Sequence, residues 1–388
     1  MEAMIRKYER KLVTRGLSHE GEPILGAMDA ELVWNREDGT STVLEKLFRE
    51  LGITALLFSM PREPWRTIID YLCETSGNAI YPEDSETRTF LHDIPLAGSF
   101  SDADLVPLLK GRNCAIVPGW GIVTTGTVSP EQAFVTFSSV CFACFVTFFS
   151  EMLSMRRRGR LTKKALRALN SVAGMAGDPG PVDDGTEKLA TGPFATPQDA
   201  CRALEEAGRT VVSHDLVDSC FGNLSYRLGD VLYISQTGSS LDELQGCIDP
   251  CPLDGSSCAG LTASSELSLH LEIVRSTKMK AILHGHPRFS VIISMDCAVD
   301  DCDFRGDCHR RCPRERFFGD IPILPGEVGR GPFGIDKTVP AALIRHGATL
   351  VYGHGTFTTG MDDFNEAFQR MLSLEEECRA EYFRRLDR

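Results

Sequence analysis

The feature that most constrains the fold is an internal repeat. Near the C-terminus stands "ATLVYGHGTFTTGMDDFNEAF" (348–368), and near the middle "CAIVPGWGIVTTGTVSPEQAF" (114–134). The two align without a gap, sharing a valine, spaced glycines, Thr-Thr-Gly and a closing Ala-Phe. Upstream, "LEIVRSTKMKAILHGHP" (271–287) aligns with "EKLFRELGITALLFSMP" (45–61), and "RFFGDIPILPG" (316–326) with "RTFLHDIPLAG" (88–98). Three collinear blocks point to a duplicated domain. Between the copies, residues 155–197 begin basic and helical in pattern, then turn rich in Gly, Pro and Asp, as an exposed linker does. The expected organisation is a first domain at 1–156, a linker at 157–196 and a second domain at 197–388.

Within the second copy, helix and strand signals alternate. "PQDACRALEEAGRTVVSHDL" has helical spacing behind a Thr-Pro start. "GNLSYRLGDVLYIS" reads as two short strands around a Gly-Asp turn. "SSELSLHLEIVRST" reads as a helix capped by Ser264 or Ser265. "MKAILHGH" and "ATLVYGHG" are short apolar strands that end in histidines. The predicted class is α/β, with each domain a sandwich of helices around a sheet.

The repeat also singles out a site. Opposite His284, His286 and His354 the first copy has Phe58, Met60 and Trp120, and opposite Glu266 it has Thr40. Joint replacement within a retained framework implies that these four residues work as one unit. On a strand, residues i and i+2 share a face, so His284 and His286 can reach one ion. A third histidine gives three nitrogen ligands with an open position, as in catalytic zinc sites. Glu266 then serves as a further ligand or as a general base beside the metal. The large apolar replacements imply that the vacated pocket of the first copy is filled by side chains.

Composition narrows the remaining options. A net charge of −13 argues against nucleic acid as the main partner, while leaving room for a local phosphate pocket. The charged start "MEAMIRKYERKL" lacks the apolar run of a secretory signal, which points to a cytoplasmic protein. The stretch "FSSVCFACFVTFFSEMLSM" (137–155) approaches membrane-spanning length. Its serines and glutamate favour a buried helix, so no membrane partner is expected. Of fourteen cysteines, seven fall between 247 and 312. Cys297, Cys302, Cys308 and Cys312 sit in one compact segment, which leaves open a second metal (zinc or an iron–sulfur cluster), disulfides, or free thiols.

The second copy resembles the class II aldolase/adducin family, the zinc-dependent sugar-phosphate aldolases and epimerases. The matching pieces are "GNLS" (222–225), "TGSS" (237–240), "SSE" (264–266), "HGHP" (284–287) and "GHGTFTTG" (353–360), in family order. The first copy resembles the family only in framework. The resemblance implies two tandem α/β/α sandwiches with a mostly antiparallel sheet. It implies that His284, His286 and His354 hold zinc or another divalent metal and that Glu266 is the acid/base residue. Asn223, Ser225, Thr237, Gly238, Ser264 and Ser265 would surround a substrate phosphate. The implied reaction is cleavage or formation of a C–C bond through a metal-stabilised enediolate, with epimerisation, dehydration or decarboxylation as relatives of it. An adducin-like binding module is the non-catalytic alternative, which the complete ligand set disfavours. Family members form tetramers, so a dimer of duplicated chains, a pseudo-tetramer, is implied. One departure is Thr237-Gly238, where the family usually has Ser-Gly. The family's acid tyrosine has no convincing match; Tyr382 is the candidate.

Overall fold

The computed structural model describes the chain except for residues 178–187, 220, 257, 300, 328–332 and 388. It divides into two units: residues 1–83 with 87–178, and residues 179–388 together with Asp84–Glu86.

Unit one has strands β1 (Ile24–Met28), β2 (Leu32–Trp34), β3 (Ala55–Ser59), β4 (Ala79–Ile80), β5 (Ile94–Pro95), β6 (Cys114–Val117) and β7 (Gly121–Gly126). Five form an antiparallel sheet in the order β2-β1-β3-β7-β6, and β4 and β5 form a separate ribbon. The helix Pro130–Arg157 opens with a proline, whose missing N–H costs nothing at a helix start. It is long and apolar enough to cross a membrane, but 89% of its most apolar window is buried inside the protein. Phe137, Phe145, Phe148 and Phe149 are fully or almost fully covered, so this is a core helix.

Unit two has β8 (Asn223–Leu228), β9 (Val231–Ser235), β10 (Ile248–Pro252), β11 (Ala281–Gly285), β12 (Arg316–Phe318), β13 (Ile321–Leu324), β14 (Ala348–Val351) and β15 (Gly355–Gly360). Its sheet runs β10-β9-β8-β11-β15-β14-β13-β12. Among the strands of this sheet in the described residues, only β13 and β14 pair in parallel. Neighbouring residues of β11 feed opposite faces, as the strand period requires. Leu283 packs with Ala203, Leu204, Ala207 and Phe368 on one side. Ile282 packs with Leu269, Ile273, Val339 and Leu343 on the other. The unit is therefore a helix–sheet–helix sandwich.

The strand order β2-β1-β3-β7-β6 recurs as β9-β8-β11-β15-β14. Register recurs too. Phe58 lies opposite Val123 and Ile24, as His284 lies opposite Phe357 and Asn223. Thr124 Oγ1 donates to the Ala133 carbonyl at 2.8 Å, and Thr358 Oγ1 to the Ala367 carbonyl at 2.9 Å.

The segment expected to be a linker at 157–196 differs from that reading. Residues 163–177 form a helix of unit one that buries Ala165, Leu169 and Val172, because its apolar residues recur at helical spacing. Leu189 joins the core of unit two. Residues 178–187 of the expected linker lie outside the described residues.

Candidate metal centre

The site lies where β11 ends and β14 turns into β15. His284 is the fourth residue of β11, His286 follows its end, and His354 sits in the turn before β15. Their exposures are 2%, 2% and 3%. The ring of His284 stacks on His354, with centroids 4.9 Å apart and planes 4° from parallel. Gly355 makes this crowding possible: a Cβ there would lie 2.6 Å from His286 Cδ2 and 3.1 Å from His284 Cε1.

The nitrogens converge. His284 Nε2 and His286 Nε2 are 3.0 Å apart, and one ligand atom from each histidine lies within 4.8 Å of the others. Tetrahedral zinc with bonds of about 2.05 Å sets ligand nitrogens about 3.3 Å apart, so the donor set fits a metal. Tautomers fit as well. His284 Nδ1–H donates to the Thr356 carbonyl at 3.0 Å, which leaves Nε2 with its lone pair facing the centre. His286 Nδ1 and His354 Nε2 are buried without a hydrogen-bond partner among the described residues.

Glu266 completes the group. Its Oε1 lies 3.4 Å from His354 Nε2 and 3.7 Å from His284 Nε2. Its Oε2 accepts from Asn223 Nδ2 at 2.7 Å. Burial pushes the Glu266 carboxyl up, but His284, His354 and the Asn223 amide outweigh it and hold it well below the usual carboxylate range. Burial also opposes an imidazolium at His354. The carboxylates of Glu266 and Glu86 outweigh that and raise its pKa to about 10. Burial pushes His284 and His286 down.

The other expected site residues divide. Asn223 is at the centre, on Glu266. The 237–238 and 264–265 loops are knitted together: Thr237 N–H donates to the Thr262 carbonyl, and Thr237 Oγ1 to the Ala263 carbonyl at 2.9 Å. Ser264 Oγ accepts from the Glu266 N–H at 3.3 Å. Thr237, Gly238 and Ser265 face solvent, with Gly238 at φ +72. Ser225 is fully buried, and its hydroxyl is 2.7 Å from His270 Nδ1. Ser264 and Ser265 do not cap the following helix. It runs Leu267–Ser276, with Glu266 in the cap position and no side-chain cap bond.

One expectation needs correction, and one question left open is narrowed. Tyr382 is fully buried and packs on Phe289 and Phe383, so it presents no hydroxyl to the site. Cys297, Cys302, Cys308 and Cys312 are free thiols. Among the described residues, only the three histidines gather as a group of three or more metal-ligating side chains. Cys297, Cys302 and Cys312 instead line a cavity of about 240 Å³, and the Cys308 thiol faces the Phe304 carbonyl at 3.5 Å. In unit one, two of the three positions aligned with the histidines hold rings that meet a third, Phe100, although Trp120 stays 56% exposed. Phe58 meets Phe100 at 4.8 Å, and Phe100 stacks on Trp120 at 5.4 Å.

Two residues near the site escaped sequence reasoning. His270 lies on the buried face of its helix, where a histidine reads as one more core position. Glu86 lies 3.2 Å from His354 Nδ1, but it precedes the histidine motifs by almost 200 positions.

Residues 202–382 match the class II aldolase and adducin N-terminal domain. The matched stretch spans most of unit two. The chain is 27% identical over 188 residues to methylthioribulose-1-phosphate dehydratase of Gluconobacter oxydans, covering 45% of this chain and 88% of that protein. Among solved structures, L-fuculose-1-phosphate aldolase from Thermus thermophilus is 26% identical, with a TM-score of 0.40. The match covers 49% of this chain and 95% of that one.

Proposed function

We propose that unit two is a divalent-metal-dependent lyase acting on a small sugar phosphate or related hydroxy-keto compound. We further infer that unit one is a duplicated copy of the same domain without the metal site. The observation that carries the first reading is the convergence of three buried imidazoles and the Glu266 carboxylate on one centre. Zinc or another divalent ion held by His284, His286 and His354 would act as a Lewis acid toward a substrate carbonyl and its neighbouring hydroxyl.

The protein's own residues then manage the proton. Glu266 is the acid/base group, because Asn223 ties up Oε2 and leaves Oε1 toward the histidines. Retro-aldol cleavage needs a proton delivered to the carbon that loses its partner. Elimination of water needs one taken from the carbon next to the carbonyl. One carboxylate in this position serves either step. The loops at 237–238 and 264–265 are laced to the same strand ends and flank Glu266, which suits them to a substrate phosphate.

C–C cleavage is the leading reading. Dehydration is the second, supported by the identity to methylthioribulose-1-phosphate dehydratase. The test is turnover of a panel of ketose phosphates, methylthioribulose 1-phosphate included, read by mass. Cleavage gives two carbonyl fragments, and dehydration gives one product lighter by a water. Glu266→Gln should lower kcat about 10²–10⁴-fold while the bound metal is retained. Retention of full activity would refute the role of Glu266.

The duplication is supported by the shared strand order, the shared register and the matched threonine bonds. In unit one Ile24 replaces Asn223, Phe58 replaces His284 and Trp120 replaces His354, so ligands and their support are missing together. A dimer of such chains would hold four units and two metal sites; sedimentation and metal analysis test this together.

A further inference from the structure

His354 is held between two carboxylates. On one edge of its ring, Nε2 lies 3.4 Å from Glu266 Oε1; on the other, Nδ1 lies 3.2 Å from Glu86 Oε2. The side chains are 3% and 16% exposed. Glu86 Oε2 and His354 Nδ1 are both covered, and apart from this ion-pair contact neither has a hydrogen-bond partner among the described residues. A proton on Nδ1 lets each atom answer the other. Without it both stay buried and unsatisfied.

Glu86 is delivered by the stretch Asp84–Glu86, which is part of unit two. The N–H and the hydroxyl of Ser85 both donate to the Gly353 carbonyl, at 2.6 and 2.9 Å. Gly353 has φ +58, and a Cβ on it would lie 3.2 Å from Ser85 N and 3.3 Å from Asp84 Cα. Gly353 N–H in turn donates to Ser294 Oγ at 2.9 Å. The stretch is thus docked on the turn that carries His354.

We propose that Glu86 is the positioning carboxylate of the metal centre. It accepts the Nδ1–H of His354 and so fixes the tautomer that turns Nε2 toward the ion. The proposal rests on the reading of His284, His286 and His354 as metal ligands. A carboxylate behind a ligating imidazole fixes the ring and raises its basicity. His284 has a neutral counterpart in the Thr356 carbonyl. Charge supports the assignment as well. Three neutral imidazoles and the carboxylates of Glu86 and Glu266 together balance a divalent cation, which a buried site needs. Glu86 is therefore distinct in role from Glu266, which lies on the metal-facing edge of the same ring.

The test uses the full chain, with zinc affinity measured against a chromophoric chelator and cobalt(II) loaded as a spectroscopic probe. Glu86→Ala should weaken zinc binding about 10–100-fold and shift the cobalt ligand-field bands. Glu86→Gln, which keeps an acceptor oxygen, should recover part of the affinity. If Glu86→Ala does not fold, Glu86→Gln decides alone: wild-type affinity with an unchanged cobalt spectrum overturns the proposal. A wild-type chain that takes up no zinc overturns the metal reading and this proposal with it. A wild-type chain that binds zinc, matched by both variants, overturns the role of Glu86 alone.

Discussion

Replacing Gly355 with alanine probes whether the histidine cluster depends on backbone space. The added Cβ would lie 2.3 Å from the Gly285 carbonyl oxygen, 2.6 Å from His286 Cδ2 and 3.1 Å from His284 Cε1. Ordinary contact needs roughly 3.4 Å or more, so β15 must move away from β11 by about 1 Å or the rings must turn. Overpacking of this kind costs about 1–3 kcal/mol, which lowers Tm by about 2–12 °C for a unit of this size. A ligand set tolerates displacement of only about 0.5 Å, so zinc affinity should fall at least about 10-fold. Gly121 is the aligned residue of unit one, with φ +146, and a Cβ there would lie 2.4 Å from the Ser59 carbonyl oxygen. Gly121→Ala should therefore cost comparable stability and leave zinc affinity untouched. Chelator competition and thermal melts on both variants form the assay. Wild-type zinc affinity in Gly355→Ala, or equal loss in both variants, would refute the reasoning.

Two further predictions concern buried polar groups that are not among the ligands. Burial, with His284 adding to it and Glu266 opposing it, lowers the pKa of His270 from 6.5 to about 4. Between those values the unfolded chain binds a proton that the folded chain refuses, so stability falls as pH drops from 6.5 toward 4. The difference corresponds to roughly 3 kcal/mol. Denaturant melts across that range should show the slope in the wild type and a shallower one in His270→Gln, since the buried His284 and His286 are lowered too; equal slopes would contradict the assignment. Glu375 is buried and accepts from Phe289 N, Ser290 N and Ser290 Oγ, each at 2.8 Å. Glu375→Gln turns an amide donor onto those donors and should cost about 1–3 kcal/mol in a thermal melt. An unchanged Tm would mean that these bonds are replaced by water.

What the chain disclosed in advance and what it hid have physical reasons. The central strands were readable because β3 and β11, and β7 and β15, keep the same apolar pattern and the same partners. His284, His286 and His354 stood out because the aligned stretches of unit one have Phe58, Met60 and Trp120 at those positions. The correspondence of Ile24 to Asn223 was not visible until strand pairing placed each opposite the aligned strand. Ser264 and Ser265 looked like helix caps because serine before an apolar run usually is one. Here Glu266 occupies the cap position, and Ser264 bonds its N–H instead. The clustered cysteines left a second metal, disulfides and free thiols all open, because closeness in sequence does not say whether sulfur atoms aim at one point. Glu86 left no local signal, since its partner is brought to it only by the fold.

The most direct test of the account is the metal content of the pure, zinc-supplemented chain beside His286→Ala and Met60→Ala. The account predicts one equivalent per chain in the wild type and in Met60→Ala, and none in His286→Ala. Two equivalents in the wild type, or an equivalent retained in His286→Ala, would contradict the claim that unit two alone holds the metal.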